Sequence, residues 1–146
     1  MSAGPEPRTG GAPAPAGRVR AVLIMHGGLG SALLEAARSV YGPIDDVPVL
    51  SNEGLSKAQI EEHIAGVVAD WSEGGLVLTD FWGGSCHVCA QSVARGNRRI
   101  ILLTGLNLPM LLHYLHNRDH STVEQLAEGM IQRGRDQIRT QHGDGR

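Results

Sequence analysis

At 146 residues the chain has the size of one domain with a single buried core, too short for two ordinary ones. Hydrophobic residues make up 41% and charged residues 19%, and a formal net charge of -2 creates no strong field for nucleic acid or an anionic membrane surface. No apolar run approaches the roughly 18 residues of a membrane-spanning helix and the N-terminus has no signal-peptide core, so a cytoplasmic location is expected.

Aromatic residues are only 3%, so the core falls to Val, Leu, Ile and Ala, as in parallel sheets covered on both faces. Residues 1–17 are nearly all Ser, Ala, Gly, Pro and a few charges, a composition that buries too little apolar surface to order itself. They are expected to form a disordered tail, followed by one domain over 18–140 and a frayed end at 141–146.

Val19 to Met25 is apolar except for Arg20 and ends in His26-Gly27-Gly28, the pattern of a buried strand running into a turn. Leu29 to Tyr41 repeats apolar residues at three-and-four spacing and stops at Gly42-Pro43, which predicts a helix. Val47 to Leu50 reads as a second strand, confined by Pro48 to an edge position. Ser56 and Gln59 have capping-box spacing ahead of a helix that runs to Asp70 or Trp71, with Gly74-Gly75 after it.

Leu76 to Thr79 is the third strand, leading through Asp80-Phe81-Trp82-Gly83-Gly84-Ser85 into a short helix that reaches Val93. Ile100 to Leu103 is the fourth. Pro109 fits the first turn of a helix to His116, where its missing N–H has no helical partner to lose. Ser121 and Glu124 repeat the capping-box spacing before Val123, Leu126, Ala127, Met130 and Ile138, predicting a last helix to about Arg139. Strand and helix alternate, which gives an α/β fold: an open, mostly parallel sheet of about four strands, order 2-1-3-4, with helices on both faces.

In such a sheet the loops at the carboxyl ends of the strands hold the site. Two are unusual, His26 to Gly30 and Asp80 to Ser85. Together they offer an imidazole, a carboxylate, unobstructed backbone N–H groups and a hydroxyl. A histidine held by a carboxylate on one ring nitrogen keeps the other as a lone-pair nucleophile, and Asp80 fits that role for His26. Gly83 and Gly84 let backbone N–H groups approach anionic oxygens at a helix N-terminus, and Ser85 adds a hydroxyl. An ordinary strand-to-helix turn also carries glycines and a histidine, so the residues by themselves reach only as far as an anion-binding α/β crevice.

Cys86 and Cys89 sit at a predicted helix N-terminus, where a C-x-x-C pair suits redox chemistry through a lowered thiol pKa. Zinc held by both cysteines with His87 or His26 is a second reading and inert helix packing a third. His63, His113, His116, His120 and His142 are read as solvated, capping or tail residues. Trp71 is read as a core anchor and Trp82 as a cover for the site or a partner contact.

Three ordered segments carry a resemblance: Ile24-Met25-His26-Gly27 followed by Leu33-Leu34, Thr79 to Ser85, and Gly105-Leu106-Asn107-Leu108-Pro109-Met110-Leu111. Over Arg20 to Arg139 the chain resembles the mannose-family enzyme IIA domain of the bacterial sugar phosphotransferase system. That resemblance implies a phosphohistidine at His26, Asp80 as its ring partner, and Gly27, Trp82, Gly83, Gly84 and Ser85 around the phosphoryl group. It implies phosphate arriving from the carrier HPr and leaving to a histidine on an enzyme IIB domain for sugar uptake, with no metal or cofactor needed. A membrane permease then enters as a peripheral partner.

The same chemistry also serves a regulatory phosphocarrier that reports to a protein partner without sugar transport. The chain departs from the family at Cys86-His87-Val88-Cys89, where a Pro and then an Asn are usual. It also lacks a convincing strand after Arg139, the segment by which many members pair as homodimers.

Overall fold

A computed structural model describes residues 17–146; the expected N-terminal tail, Gly17 apart, lies outside the described residues. In chain order the elements are β1 (Ala21–Met25), α1 (Leu29–Tyr41), β2 (Val49–Ser51), α2 (Lys57–Val68), β3 (Gly75–Thr79), α3 (Ser85–Ala94), β4 (Ile100–Leu103), α4 (Leu108–Asn117) and α5 (Val123–Asp136). The four strands form one sheet, β2-β1-β3-β4, the order read from the sequence, and every pairing is parallel.

β1 and β3 lie in the middle and every residue in them is buried. Their side chains alternate between two cores, as a period of two requires. Ala21, Leu23 and Met25 join Leu76, Leu78 and Leu103 beneath α1, α4 and α5. Val22, Ile24 and Val77 point to the other face, where α2 and α3 supply Ile60, Ile64, Cys86, Cys89 and Ala90. Fully burying one Leu, Ile or Met side chain contributes about 1.5–3 kcal/mol, so these two layers hold the sheet between its helices.

Local chemistry sets the boundaries. Ser56 accepts a hydrogen bond from the Gln59 N–H while Gln59 Oε1 accepts from the Ser56 N–H, completing the expected box. α2 stops at Val68, short of the expected Asp70 or Trp71. Trp71 N–H turns back to the Val68 carbonyl at 3.0 Å, and its ring still reaches the core. Gly74 (φ +81°) follows; a Cβ there would stand 2.1 Å from the Arg99 carbonyl oxygen, so only glycine lets β3 start beside that backbone.

The last helix corrects the sequence reading in register. Thr122 and Gln125, not Ser121 and Glu124, form its capping box, at 3.1 and 2.9 Å. Glu124 thereby enters the first turn, where the helix dipole favours a negative charge. α5 ends at Asp136, so Ile138 lies beyond the helix, 78% exposed, instead of extending its apolar stripe. β2 is shorter than expected, beginning after Pro48, yet it does occupy the sheet edge. Among the described residues no strand follows Arg139 and no helix is long and apolar enough to cross a membrane.

Candidate functional site

β1 and β3 are hydrogen-bonded neighbours with Ile24 opposite Thr79, so the first residues past their carboxyl ends emerge side by side. Those residues are His26 and Asp80. His26 Nδ1 lies 2.7 Å from Asp80 Oδ2, and the same oxygen accepts the His26 main-chain N–H at 3.0 Å. Asp80 Oδ1 accepts the Phe81 N–H at 3.0 Å. The carboxylate is therefore fixed on three sides, and the pairing expected from the sequence is present.

Burial pushes the Asp80 carboxyl upward, but the hydrogen bonds from the His26 backbone and ring overcome it and hold the group below its ordinary 3.8. An ionised carboxylate only accepts, so the ring proton belongs on Nδ1 and the lone pair on Nε2. Nε2 is 3.1 Å from Ser85 Oγ, close enough to accept the hydroxyl proton. Phe81 stacks on the imidazole, with centroids 4.9 Å apart and planes at 23°.

The glycines act differently from one another. Gly27 (φ +55°) and Gly83 (φ +81°) turn the two loops through the left-handed region. Gly84 caps α3, and a Cβ on it would stand 2.6 Å from Phe81 Cζ and 3.0 Å from His26 Cε1. Its bare α-carbon is what lets the ring pair and the helix end converge. The first turn of α3, whose leading N–H groups have no partner within the helix, starts beside the imidazole, with Ser85 Oγ at Nε2.

Two supports come from the end of β2, which the strand order places beside β1. Asn52 Oδ1 accepts the Gly27 N–H at 3.0 Å, and Ser51 Oγ donates to the Gly27 carbonyl at 2.8 Å. Neither residue stands out in the sequence; the strand order is the signal that locates them. Phe81 is in the quoted motif, yet nothing about its spacing announces the stack on His26.

Trp82 is placed differently from the reading that it surrounds the site. It is 76% exposed and lies against His87, centroids 4.5 Å apart, while Phe81 is the ring partner of His26. Trp82 instead borders an apolar groove of about 400 Å³ along β4, with Leu102, Met110 and Ile131 among its walls.

Both cysteines are buried and free. Burial and the nearby Asp80 charge push the Cys86 thiol up to about 12, and burial also raises Cys89. That is opposite to the shift a redox thiol needs. The zinc set of Cys86 with Cys89 is not assembled either: Cys89 Sγ faces the Lys57 carbonyl at 3.8 Å. Cys86 lies instead beside His26 and Asp80, one donor atom of each within 4.8 Å of the others. His113 and His116 sit on α4, which ends at Asn117 before His120, so the three do not share one helix.

The Gly105 to Leu111 segment proves structural. Asn107 caps α4 by accepting the Met110 N–H at 3.1 Å, and Met110 packs into the core.

Residues 20–131 match the family model described as EIIA-man, PTS system fructose IIA component. The chain is 27% identical over 115 residues to the fructose-specific EIIA component of Bacillus subtilis, covering 77% of this chain and 79% of that protein. It is 29% identical over 126 residues to the mannose-specific EIIAB component of Escherichia coli K12, covering 81% of this chain but only 38% of that longer protein. In fold it is similar to the phosphotransferase component EIIA of Streptococcus agalactiae, with a TM-score of 0.78 at 23% identity, over 84% of this chain and 96% of that one.

Proposed function

This chain belongs to the EIIA-man family of sugar phosphotransferase components, and on that premise we propose that it carries a phosphoryl group on His26, taken from HPr and passed to an enzyme IIB histidine. One observation carries the reading. His26 has Nδ1 tied to Asp80 at 2.7 Å and Nε2 facing Ser85 at 3.1 Å, which supports a nucleophile with its tautomer already selected.

In the reaction Nε2 attacks phosphorus while the donor's P–N bond breaks, and the ring of His26 gains positive charge as the new bond forms. Asp80, hydrogen-bonded to Nδ1 of the same ring at 2.7 Å and already ionised, stabilises it without reorganising. Ser85 turns its hydroxyl from Nε2 to a phosphoryl oxygen. Gly83 and Gly84 give the remaining oxygens access to backbone N–H groups and to the N-terminus of α3. Gly27, anchored by Asn52 and Ser51, holds the histidine loop in place. Positioning and fixed dipoles supply the rate enhancement, so the transfer calls on no metal.

The partners meet this end of the sheet, where Trp82 and Phe81, in the loop that carries Asp80, stand exposed. Incubation with phosphorylated HPr should give acid-labile phosphate on His26 and none in His26→Ala. Equal labelling of the wild type and the variant would reject the assignment.

A further inference from the structure

We propose that His26, Asp80 and Cys86 also form a binding site for a zinc-type divalent cation, and that an ion bound there switches off phosphoryl acceptance. The second half rests on the phosphocarrier reading; the first does not. One ligand atom from each residue lies within 4.8 Å of the other two. Nitrogen, oxygen and sulfur together suit a borderline-soft ion, whereas magnesium and calcium call for oxygen alone.

In a tetrahedral zinc site, with ligand bonds of 2.0–2.3 Å, neighbouring donor atoms stand roughly 3.3–3.7 Å apart. The pair His26 Nδ1 and Asp80 Oδ2, now at 2.7 Å, therefore opens by about 0.6–1.0 Å, and a pair at the 4.8 Å limit closes by about 1.1–1.5 Å, within reach of side-chain rotation. His26, with its side chain 32% exposed, is the side from which an ion enters, since Asp80 and Cys86 are covered. Water completes the fourth position.

The charges balance. Cys86 loses its thiol proton to solvent as the sulfur–metal bond forms, and its thiolate with the Asp80 carboxylate offsets the two positive charges of the ion. A neutral cluster is one that a largely buried position tolerates. Cys89, one turn further along α3 with its sulfur at the Lys57 carbonyl, stays outside the group and serves as its internal control.

The functional consequence follows from the imidazole alone. Coordination through Nδ1 sends the ring proton to Nε2, and coordination through Nε2 occupies the lone pair itself. Either way the nucleophile is gone while the ion remains.

Cobalt(II) added to the full unphosphorylated chain should raise a thiolate-to-cobalt charge-transfer absorption that zinc bleaches and magnesium leaves unchanged. The band should persist in Cys89→Ala and vanish in Cys86→Ala and Cys86→Ser, with zinc affinity at least about tenfold weaker in both. Zinc should also arrest phosphoryl uptake from phosphorylated HPr in the wild type and Cys89→Ala, while the Cys86 variants keep most of their own zinc-free rate. A wild type with no such band, or a band unchanged in the Cys86 variants, overturns the site. A band accompanied by undiminished uptake in zinc overturns the switch. Absence of any His26 phosphate without metal is a different result: it removes the carrier reading and leaves the cobalt spectrum to judge the site.

Discussion

At the N-terminal end of the sheet Asp46 gives one carboxylate oxygen to Arg118 at 2.9 Å and the other to Arg18 at 3.0 Å, whereas at the C-terminal end Asp80 shares its oxygens among two main-chain N–H groups and one imidazole. Both aspartates are well covered, with side-chain exposures of 3% and 8%. Guanidinium groups do not release their protons in a protein, so Asp46 sits in an arrangement with nothing to move. Arg18 reaches on to Asp119, and Tyr114 ties the Val19 carbonyl at 2.7 Å with a hydroxyl that burial pushes up to about 12. That end fastens α4 to the start of β1. At the other end the aspartate's partner is a ring with a second nitrogen left over, and neighbouring glycines keep backbone donors open. At one end both carboxylate oxygens meet guanidinium cations; at the other the carboxylate orients a ring whose remaining nitrogen meets only the hydroxyl of Ser85.

Substitutions at the two ends should therefore part company. Asp80→Asn presents an amide that lets the other imidazole tautomer form, and the rate of phosphoryl uptake should fall about a thousandfold to ten-thousandfold, as when a catalytic histidine loses its orienting carboxylate. A fall of tenfold or less, measured with phosphorylated HPr, would mean that the ring does not depend on Asp80.

Arg118→Ala removes one partner of a buried pair whose side chains are 4% and 3% exposed. Because Arg18 still pairs with Asp46, chemical denaturation should show a loss of about 1.5–3 kcal/mol, while the variant that remains folded still accepts phosphoryl at His26. Loss of uptake in a folded Arg118→Ala would erase the contrast between the ends.

The smallest effect concerns pH. The folded-state value of Asp80 lies below 3.8, so its ionised form contributes stability that is complete above the unfolded value and disappears as pH drops through the folded one. The difference in unfolding free energy between the wild type and Asp80→Asn should be level above about pH 4 and shrink on further acidification. A difference that grows toward acid pH would mean that folding raises the Asp80 value instead of lowering it.

Much of this architecture is legible in the residues. Apolar runs at Val22 to Met25 and Leu76 to Leu78 fit the covered middle of a parallel sheet, and Pro48 puts the short second strand at an edge, while the equally apolar Ile100 to Leu103 takes the opposite edge. Adjacent strands then deliver His26 and Asp80 together. The α5 cap escapes because Ser121-Thr122 and Glu124-Gln125 offer two overlapping frames that local chemistry cannot rank. Ile138 misleads in a similar way: it continues the helical spacing past the point where the helix has stopped. Asn52, Ser51 and the Phe81 stack depend on three-dimensional neighbours, and Cys86 looks like half of a C-x-x-C pair until its helix turns it toward Asp80.

In the proposed transfer Asp80 holds the His26 proton on Nδ1 and keeps Nε2 for phosphorus. Nitrogen-15 NMR of the imidazole before and after phosphorylation tests it directly. The Nδ1–H tautomer is expected in the free protein, with phosphorus bonded to Nε2 afterwards. An Nε2–H ring, or a phosphoryl group on Nδ1, would contradict it.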